Sequence, residues 1–151
     1  MVLQKPKKMD IKSYFANTFI KANNNLLLNK SNIHNLGVFA KSPFKKGQVI
    51  EVSPVILGNA NDYELLKHTS LHDYYFLLPY KSIPFALGLG FSSFYNHACP
   101  ANALYKINRH RQYIKIIAER NIDSGEEVTI NYNGNPFDTS AVLFTPNPMA
   151  Q

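Results

Sequence analysis

The sequence predicts a single, mainly β domain, on the strength of three observations. Short apolar, strand-like runs are separated by clusters of Asn, Gly and Pro, which are the residues that form turns. Little of the chain has the pattern of a helix. A length of 151 residues is near the commonest domain size, and an apolar fraction of 45% is enough to build one core.

Each element is predicted from local patterns. Six strand-like runs lie in the first part of the chain, at residues 18–21, 26–28, 37–40, 48–57, 74–78 and 84–89. One short helix is expected at 61–71, where an Asn-Asp pair can cap its first turn, and a helical turn at 91–95. The runs 103–107 and 112–118 flank a polar, basic turn and predict a hairpin. Alternating apolar residues at 127–132 predict the last strand.

The two ends of the chain differ from this pattern. Residues 1–16 are basic and irregular, so we interpret them as a flexible leader, and we take 17–134 as the domain. The tail, 135–151, contains Pro136, Pro146 and Pro148, which argue against long regular structure there.

The formal net charge of +6 indicates an anionic partner, such as nucleic acid or chromatin. The basic residues are spread out, apart from small clusters such as Arg109–His110–Arg111, and no RNA-binding signature accompanies them. A solvated surface with a basic bias explains the same composition, so both interpretations stay open.

The single cysteine, Cys99, excludes an intramolecular disulfide and a multi-cysteine zinc site, which indicates a reducing compartment. We expect a buried, neutral thiol here, since no base is placed to activate it. The histidines show no metal-ligand spacing, so no metal is predicted. No run approaches the roughly 20 apolar residues that cross a bilayer, so we expect a soluble intracellular protein, cytoplasmic or nuclear.

Four segments carry more specific information. Residues 36–40 are L-G-V-F-A, and residues 73–76 are D-Y-Y-F. Residues 86–90, A-L-G-L-G, run on to Y-N-H-A-C-P-A-N at 95–102, and S-G-E-E-V-T-I-N-Y closes the series at 124–132. In this order, they resemble the motifs of the SET-domain protein-lysine methyltransferases, in particular the small stand-alone viral and bacterial members.

The sequence departs from the family's pattern at a few positions. Asn35 stands where the family has a first glycine, a tolerable change because Asn also accepts a positive φ. Ala98 replaces the usual Ser, and the proline comes one position early. The three-cysteine zinc segment of many chromatin enzymes is missing, so closing the active site would fall to the tail, through Phe137 and residues 143–144.

The resemblance implies a SET (β-clip type) fold, with several short-stranded sheets, few short helices and a C-terminal pseudoknot in which Asn102 pins the chain crossing. It also implies methyl transfer from S-adenosylmethionine to the ε-amine of a protein lysine, with a histone tail as one expected substrate. A +6 enzyme gains no long-range attraction to such a tail, so local acidic residues would have to guide it: Glu51, Asp62, Glu64 or Asp73.

By the same resemblance, Tyr132 is the first choice for the catalytic tyrosine and Tyr74 is the second. Tyr75 is adjacent to Tyr74, and strand alternation would send the two side chains to opposite faces, so which one lines the channel stays open. The expected cofactor-binding residues are Leu36, Gly37, Tyr95, Asn96, His97 and Tyr132. The expected substrate channel is formed by Tyr74, Gly90, Tyr132 and Phe137.

Two other functions remain as alternatives. The first is a catalytically silent SET-fold module that binds a lysine-bearing or nucleic-acid partner. The second is a basic nucleic-acid-binding domain unrelated to methylation. Weak contact with nucleic acid or a nucleosome, and a homodimer, are further expectations for the partners.

Overall fold

The structure is a computed structural model, and it describes residues 24–142. The predicted leader, the predicted strand at 18–21 and the end of the tail at 143–151 lie outside the described residues. The described strands are β1 (Leu26–Lys30), β2 (Leu36–Ala40), β3 (Val49–Gly58), β4 (Tyr75–Leu77), β5 (Phe85–Gly88), β6 (Asn96–His97), β7 (Ala103–Asn108), β8 (Tyr113–Ala118) and β9 (Glu127–Ile130). The mainly β prediction is confirmed.

These strands form two sheets. One sheet has the order β1-β2-β9-β6, and the other has the order β4-β5-β3-β8-β7. All pairings are antiparallel except β6 with β9, which is parallel. The predicted hairpin is β7–β8, paired from Ala103↔Ala118 to Asn108↔Tyr113. Both sheets contribute to one core, whose largest fully buried apolar side chains are Val38, Ile50, Ile114, Ile116, Ile122, Val128 and Ile130.

The predicted helix at 61–71 begins within one residue of its expected start but ends five residues early. The helix, α1 (Ala60–Leu66), begins after Asn59, whose side chain accepts from the amides of Asn61 and Asp62 in a capping box. It has no buried residue, so packing does not extend it. The hydroxyl of Thr69 donates to the carbonyl of Leu66, and a short 3-10 helix (His72–Tyr74) follows instead. None of the helices within 24–142 is long and apolar enough to span a membrane.

Two differences concern the region of the predicted site. Tyr74 belongs to the 3-10 helix and precedes β4, rather than starting the strand. The last strand ends at Ile130, because the side chain of Asn131 turns the chain: its Oδ1 accepts from the amide of Asn133, and its Nδ2 donates to the carbonyl of Asp138. Tyr132 therefore lies in a turn beyond the strand.

Candidate active site

The predicted chain crossing is held by Asn102, a side chain that is only 3% exposed. Its Oδ1 accepts from the amide of Thr129 at 2.7 Å, and its Nδ2 donates to the carbonyl of Glu127 at 2.8 Å. On the other side of the crossing, the amide of Ala101 donates to the carbonyl of Pro136 at 2.9 Å. The segment after β6 is therefore tied to both β9 and the chain that follows it, which is the pseudoknot that the motifs predict.

Asn96 connects this crossing to the loop before β2. Its Nδ2 lies within hydrogen-bond distance of three acceptors: the carbonyls of His34 and Leu36, at 3.2 and 3.1 Å, and Oε1 of Glu127, at 2.7 Å. The amide nitrogen of Asn96 is thus committed to the protein. Any contact that this side chain makes with a ligand would have to use its carbonyl oxygen.

Gly37 makes the close packing around this amide possible. A Cβ atom at position 37 would overlap the carboxylate of Glu127 and come within 3.0 Å of Asn96 Nδ2. The Glu127 carboxylate is also fixed by the hydroxyl of Ser31, which lies 2.9 and 2.8 Å from its two oxygens. A side chain at position 37 would therefore displace the Glu127 carboxylate from its hydrogen bonds with Ser31 and Asn96.

The Tyr132 phenol lies at the end of the crossing. Its hydroxyl donates to the backbone carbonyl of Tyr95 at 3.2 Å, and its side chain is 38% exposed. Burial of the phenol raises the pKa of Tyr132 to about 12, and the negative charge of Asp73 adds to this. The phenol is therefore protonated at neutral pH, and it can donate a hydrogen bond but cannot act as a base.

His97 supports the backbone of the same tyrosine. Its Nδ1 lies 3.2 Å from the amide of Tyr132, and the two rings are 5.3 Å apart. Because a backbone amide can only donate, Nδ1 is the acceptor, and the neutral ring carries its proton on Nε2. Burial also lowers the pKa of His97, which favours the same neutral form.

Tyr74 and Tyr75 point to different surroundings, as expected, although only Tyr75 is in a strand. The Tyr75 ring belongs to an aromatic cluster with Tyr63 and Phe85, at centroid distances of 5.7 and 5.4 Å. The Tyr74 ring is 37% exposed and packs edge-on against Phe94 at 5.8 Å. Tyr74 is therefore the more exposed of the pair, whereas Tyr75 is partly buried.

The carboxylate of Glu51 has a different role from the one predicted from the sequence. We expected Glu51 to be one of the acidic residues that guide a basic substrate, but both of its oxygens accept hydrogen bonds from within the protein. One accepts from the phenol of Tyr95 at 2.8 Å, and the other accepts from the amide of Phe91 at 3.0 Å. Burial raises the pKa of Glu51, despite these hydrogen bonds. Its proximity to Tyr95 and Phe91 is a tertiary contact across some 40 positions, which local patterns do not reveal.

The Glu51 carboxylate also limits which groups of Tyr95 and Gly90 can meet a ligand. The Tyr95 side chain is only 2% exposed, so a ligand can meet this residue only through its backbone, whose carbonyl holds the Tyr132 hydroxyl. Gly90 has a φ of +82°, and a Cβ there would lie 2.9 Å from Glu51 Oε1. Glycine is needed for both reasons.

The described part of the tail runs back beside Tyr132. Asn133 Nδ2 donates to the carbonyl of Ser140 at 2.9 Å, so the chain turns immediately after the site. The Phe137 ring is 62% exposed and could line a channel only by meeting a ligand or residues outside 24–142.

The expectation of a buried thiol is wrong: Cys99 is exposed, because it lies in the surface turn that follows β6.

Comparisons with known proteins agree with the motifs and the fold. The SET domain family matches residues 35–133. A histone-lysine N-methyltransferase from Schizosaccharomyces pombe, specific for H3 lysine-37, is 34% identical over 97 residues, 64% of this chain. Histone-lysine N-methyltransferase SET9 of Gibberella zeae is 30% identical over 105 residues, 69% of this chain. The chain spans 65% of the length of the first relative and 16% of the second.

Solved structures give the same result. A crystal structure of a Plasmodium falciparum protein, described provisionally as a histone methyltransferase, superposes with a TM-score of 0.59 and 25% sequence identity. The match covers 72% of this chain and 92% of that one. Since the family match extends over residues 35–133 and includes Asn96, His97 and Tyr132, this chain belongs to the SET domain family.

Proposed function

We propose that this protein transfers a methyl group from S-adenosylmethionine to the ε-amine of a lysine in another protein. The observation that carries the proposal is a protonated, partly exposed Tyr132 phenol beside His97, with its hydroxyl on the Tyr95 carbonyl. The relatives that are histone-lysine methyltransferases favour the same reaction.

The residues beside Tyr132 fit such a methyl donor. The carbonyl oxygen of Asn96 suits an α-ammonium group, and the Nε2–H of His97 supplies a donor nearby. Leu36 is 44% exposed and offers both apolar surface and backbone groups. When bound, S-adenosylmethionine supplies a methyl carbon whose bond to sulfur breaks as the lysine nitrogen attacks.

The enzyme must bind this lysine as a neutral amine. A free lysine has a pKa near 10.4 and is almost entirely charged at neutral pH. Converting it to the neutral amine at this pH costs about 4–5 kcal/mol. Contact with the Tyr74 and Phe94 rings would remove water from the amine and so favour its neutral form. The Tyr132 hydroxyl and the Tyr95 carbonyl would orient it. Since Tyr132 is itself protonated, the proton has to leave to solvent before the transfer.

A histone lysine is the substrate we propose. Asp73 is the acidic residue that supports this choice, since it directly precedes Tyr74, lies 3.0 Å from Nδ1 of His72 and would attract a basic peptide to the mouth of the site. The tail would close over the bound lysine through Phe137. A homodimer stays a prediction, since the chemistry above does not require one.

The test is to incubate the protein with core histones and tritium-labelled S-adenosylmethionine, followed by mass spectrometry of the histone peptides. We expect labelled methyl-lysine at a defined histone site. Binding of S-adenosylmethionine in calorimetry, without transfer to histones or to whole-cell protein, would favour a silent binding module. Failure to bind S-adenosylmethionine at all would reject the proposal.

Tyr74 and Tyr75 give a matched pair of variants. We expect Tyr74→Phe to lower kcat/KM by no more than about tenfold, because the ring that removes water from the amine is kept and only one hydroxyl, with at most one hydrogen bond, is lost. We expect Tyr75→Phe to leave the rate unchanged, because its ring stays in the aromatic cluster with Tyr63 and Phe85. Steady-state kinetics on one histone peptide compares them, and a larger loss in Tyr75→Phe would mean that the channel tyrosine is Tyr75.

A further inference from the structure

One long stretch of the chain carries no acidic residue. Between Asp73 and Glu119 there is no Asp or Glu, whereas the same stretch contains five cationic residues: Lys81, Lys106, Arg109, Arg111 and Lys115. Four of them belong to the β7–β8 hairpin, and Lys81 lies in the loop between β4 and β5. We call Lys106, Arg109, Arg111 and Lys115 the basic hairpin.

The register of the hairpin brings these charges together. Lys106 lies directly opposite Lys115, so their side chains emerge on the same face. This is the outer face, because Ile114 and Ile116 of the same strand point into the core. Like charges in directly opposed positions destabilise a strand pair, so the arrangement has no benefit for folding. Arg109 and Arg111 extend the charged surface into the exposed turn.

The charges of the basic hairpin are not neutralised within residues 24–142. The ion pairs in this range join other residues, such as Lys46 with Glu119 and Arg120 with Glu126. Two of the cations are placed over aromatic rings instead. Arg109 lies 4.4 Å from the centre of the Tyr80 ring, and Lys115 lies 5.3 Å from that of Tyr113. A ring positions a cation and leaves its charge available to a partner.

We infer that the basic hairpin is a docking surface for the phosphate backbone of duplex DNA. Closely spaced phosphates are the complement of several cations without counter-charges, and releasing their counterions supplies the binding free energy. The Tyr80 and Tyr113 rings already carry Arg109 and Lys115, so they are not open platforms on which unpaired bases could stack. This favours the duplex over single-stranded nucleic acid, and backbone contact over reading of sequence.

The surface lies on the reverse of the candidate active site. Tyr105 precedes Lys106 on β7 and points to the inner side, where its hydroxyl donates to the backbone carbonyl of Tyr132 at 3.2 Å. DNA on the outer side would thus bring this +6 protein to histones that it would not attract by charge. That consequence rests on the proposed function, whereas the DNA contact itself does not.

The test compares two triple variants of the full chain with equal loss of charge. The hairpin variant carries Lys106→Gln, Arg109→Gln and Arg111→Gln, and the control carries Lys30→Gln, Lys41→Gln and Lys45→Gln. All six side chains are exposed. Fluorescence anisotropy with a labelled duplex of mixed sequence, over a salt series, gives the affinity and its slope with log salt.

We expect the affinity of the hairpin variant for duplex DNA to fall by about tenfold or more. The slope of log affinity against log salt should fall by about 2 to 3, because each of the three lost phosphate contacts contributes about 0.9. The control variant should stay near the wild type. Equal weakening of both variants, or wild-type binding by the hairpin variant, would overturn the inference. Tighter binding of wild-type protein to single-stranded RNA or to polyglutamate than to the duplex would also overturn it.

Two controls separate this inference from the proposed function. Circular dichroism melts should show that both variants fold as the wild type does. Methylation of a free histone peptide should proceed at the wild-type rate in both, because the peptide carries no DNA. Absence of methylation in all three proteins, together with a hairpin-dependent DNA contact, would reject the proposed reaction and leave the docking surface in place.

Discussion

Tyr132→Phe is expected to lower kcat for methyl transfer by about 100-fold or more, while the affinity for S-adenosylmethionine and the fold are retained. The substitution removes only the hydroxyl, which donates to the Tyr95 carbonyl at 3.2 Å and would orient the lysine amine. With its proton on the Tyr95 carbonyl, the phenol oxygen would accept from an N–H of the amine and leave the nitrogen lone pair free to attack, and losing one preorganised hydrogen-bonding group at a reacting centre typically costs two to three orders of magnitude in rate. Single-turnover kinetics, with calorimetry for the cofactor, measures both quantities.

Tyr113→Phe is the matched control. It removes a phenol from the outer face of β8, where the Lys115 ammonium lies over the ring, and should not change the rate. The stability of Tyr132→Phe should fall by about 0.5–1.5 kcal/mol, for one hydrogen bond. A wild-type rate in Tyr132→Phe would contradict the assigned role, and so would loss of cofactor binding, since the residue would then serve the cofactor site alone.

Asn102→Ala is expected to have the largest effect on stability. It leaves the Thr129 amide and the Glu127 carbonyl without their partner in the buried crossing. A buried polar group left unsatisfied costs about 1–3 kcal/mol, so we expect a loss of about 3 kcal/mol or more in the free energy of unfolding. For a chain of this size, the melting temperature should fall by about 6–12 °C.

The control for this variant is Asn29→Ala. Asn29 is exposed, and its Oδ1 accepts only a local bond from the amide of Lys30 at 2.8 Å. Losing this one hydrogen bond in Asn29→Ala should lower the melting temperature by no more than about 2–4 °C. Differential scanning calorimetry measures both variants. Equal shifts would show that Asn102 does not hold the crossing.

The strands were predictable where side-chain alternation is local. The β7–β8 hairpin and β3 lie within about a residue of their expected bounds, because their apolar positions face one core. The end of the helix was not predictable in this way, because α1 buries no side chain and the chain leaves the helix near Thr69. The parallel pairing of β6, a strand of two residues, depends on β9, which lies some 30 residues later.

For the site, the motifs identified Tyr132, Asn96, His97 and Gly37 as a group, and the structure brings them to one crossing. The choice between Tyr74 and Tyr75 was open, since two adjacent tyrosines satisfy the same motif. The two rings differ in their neighbours: Tyr75 packs with Tyr63 and Phe85, whereas Tyr74 is exposed and packs against Phe94, and the channel tyrosine stays a prediction.

By itself, the sequence determined the mainly β class and the order of the strands along the chain, which follow from local periodicity, and the motif residues, which follow from the resemblance to the SET family. Only the tertiary structure decided that Glu51 turns inward to Tyr95, that Cys99 is exposed and that Lys106 faces Lys115. The Glu51 contact joins segments some 40 positions apart, the exposure of Cys99 depends on where β6 ends, and the Lys106–Lys115 pair depends on the register of the hairpin. Such contacts are set by the competition for buried space and hydrogen-bond partners in the folded chain, which no local pattern encodes.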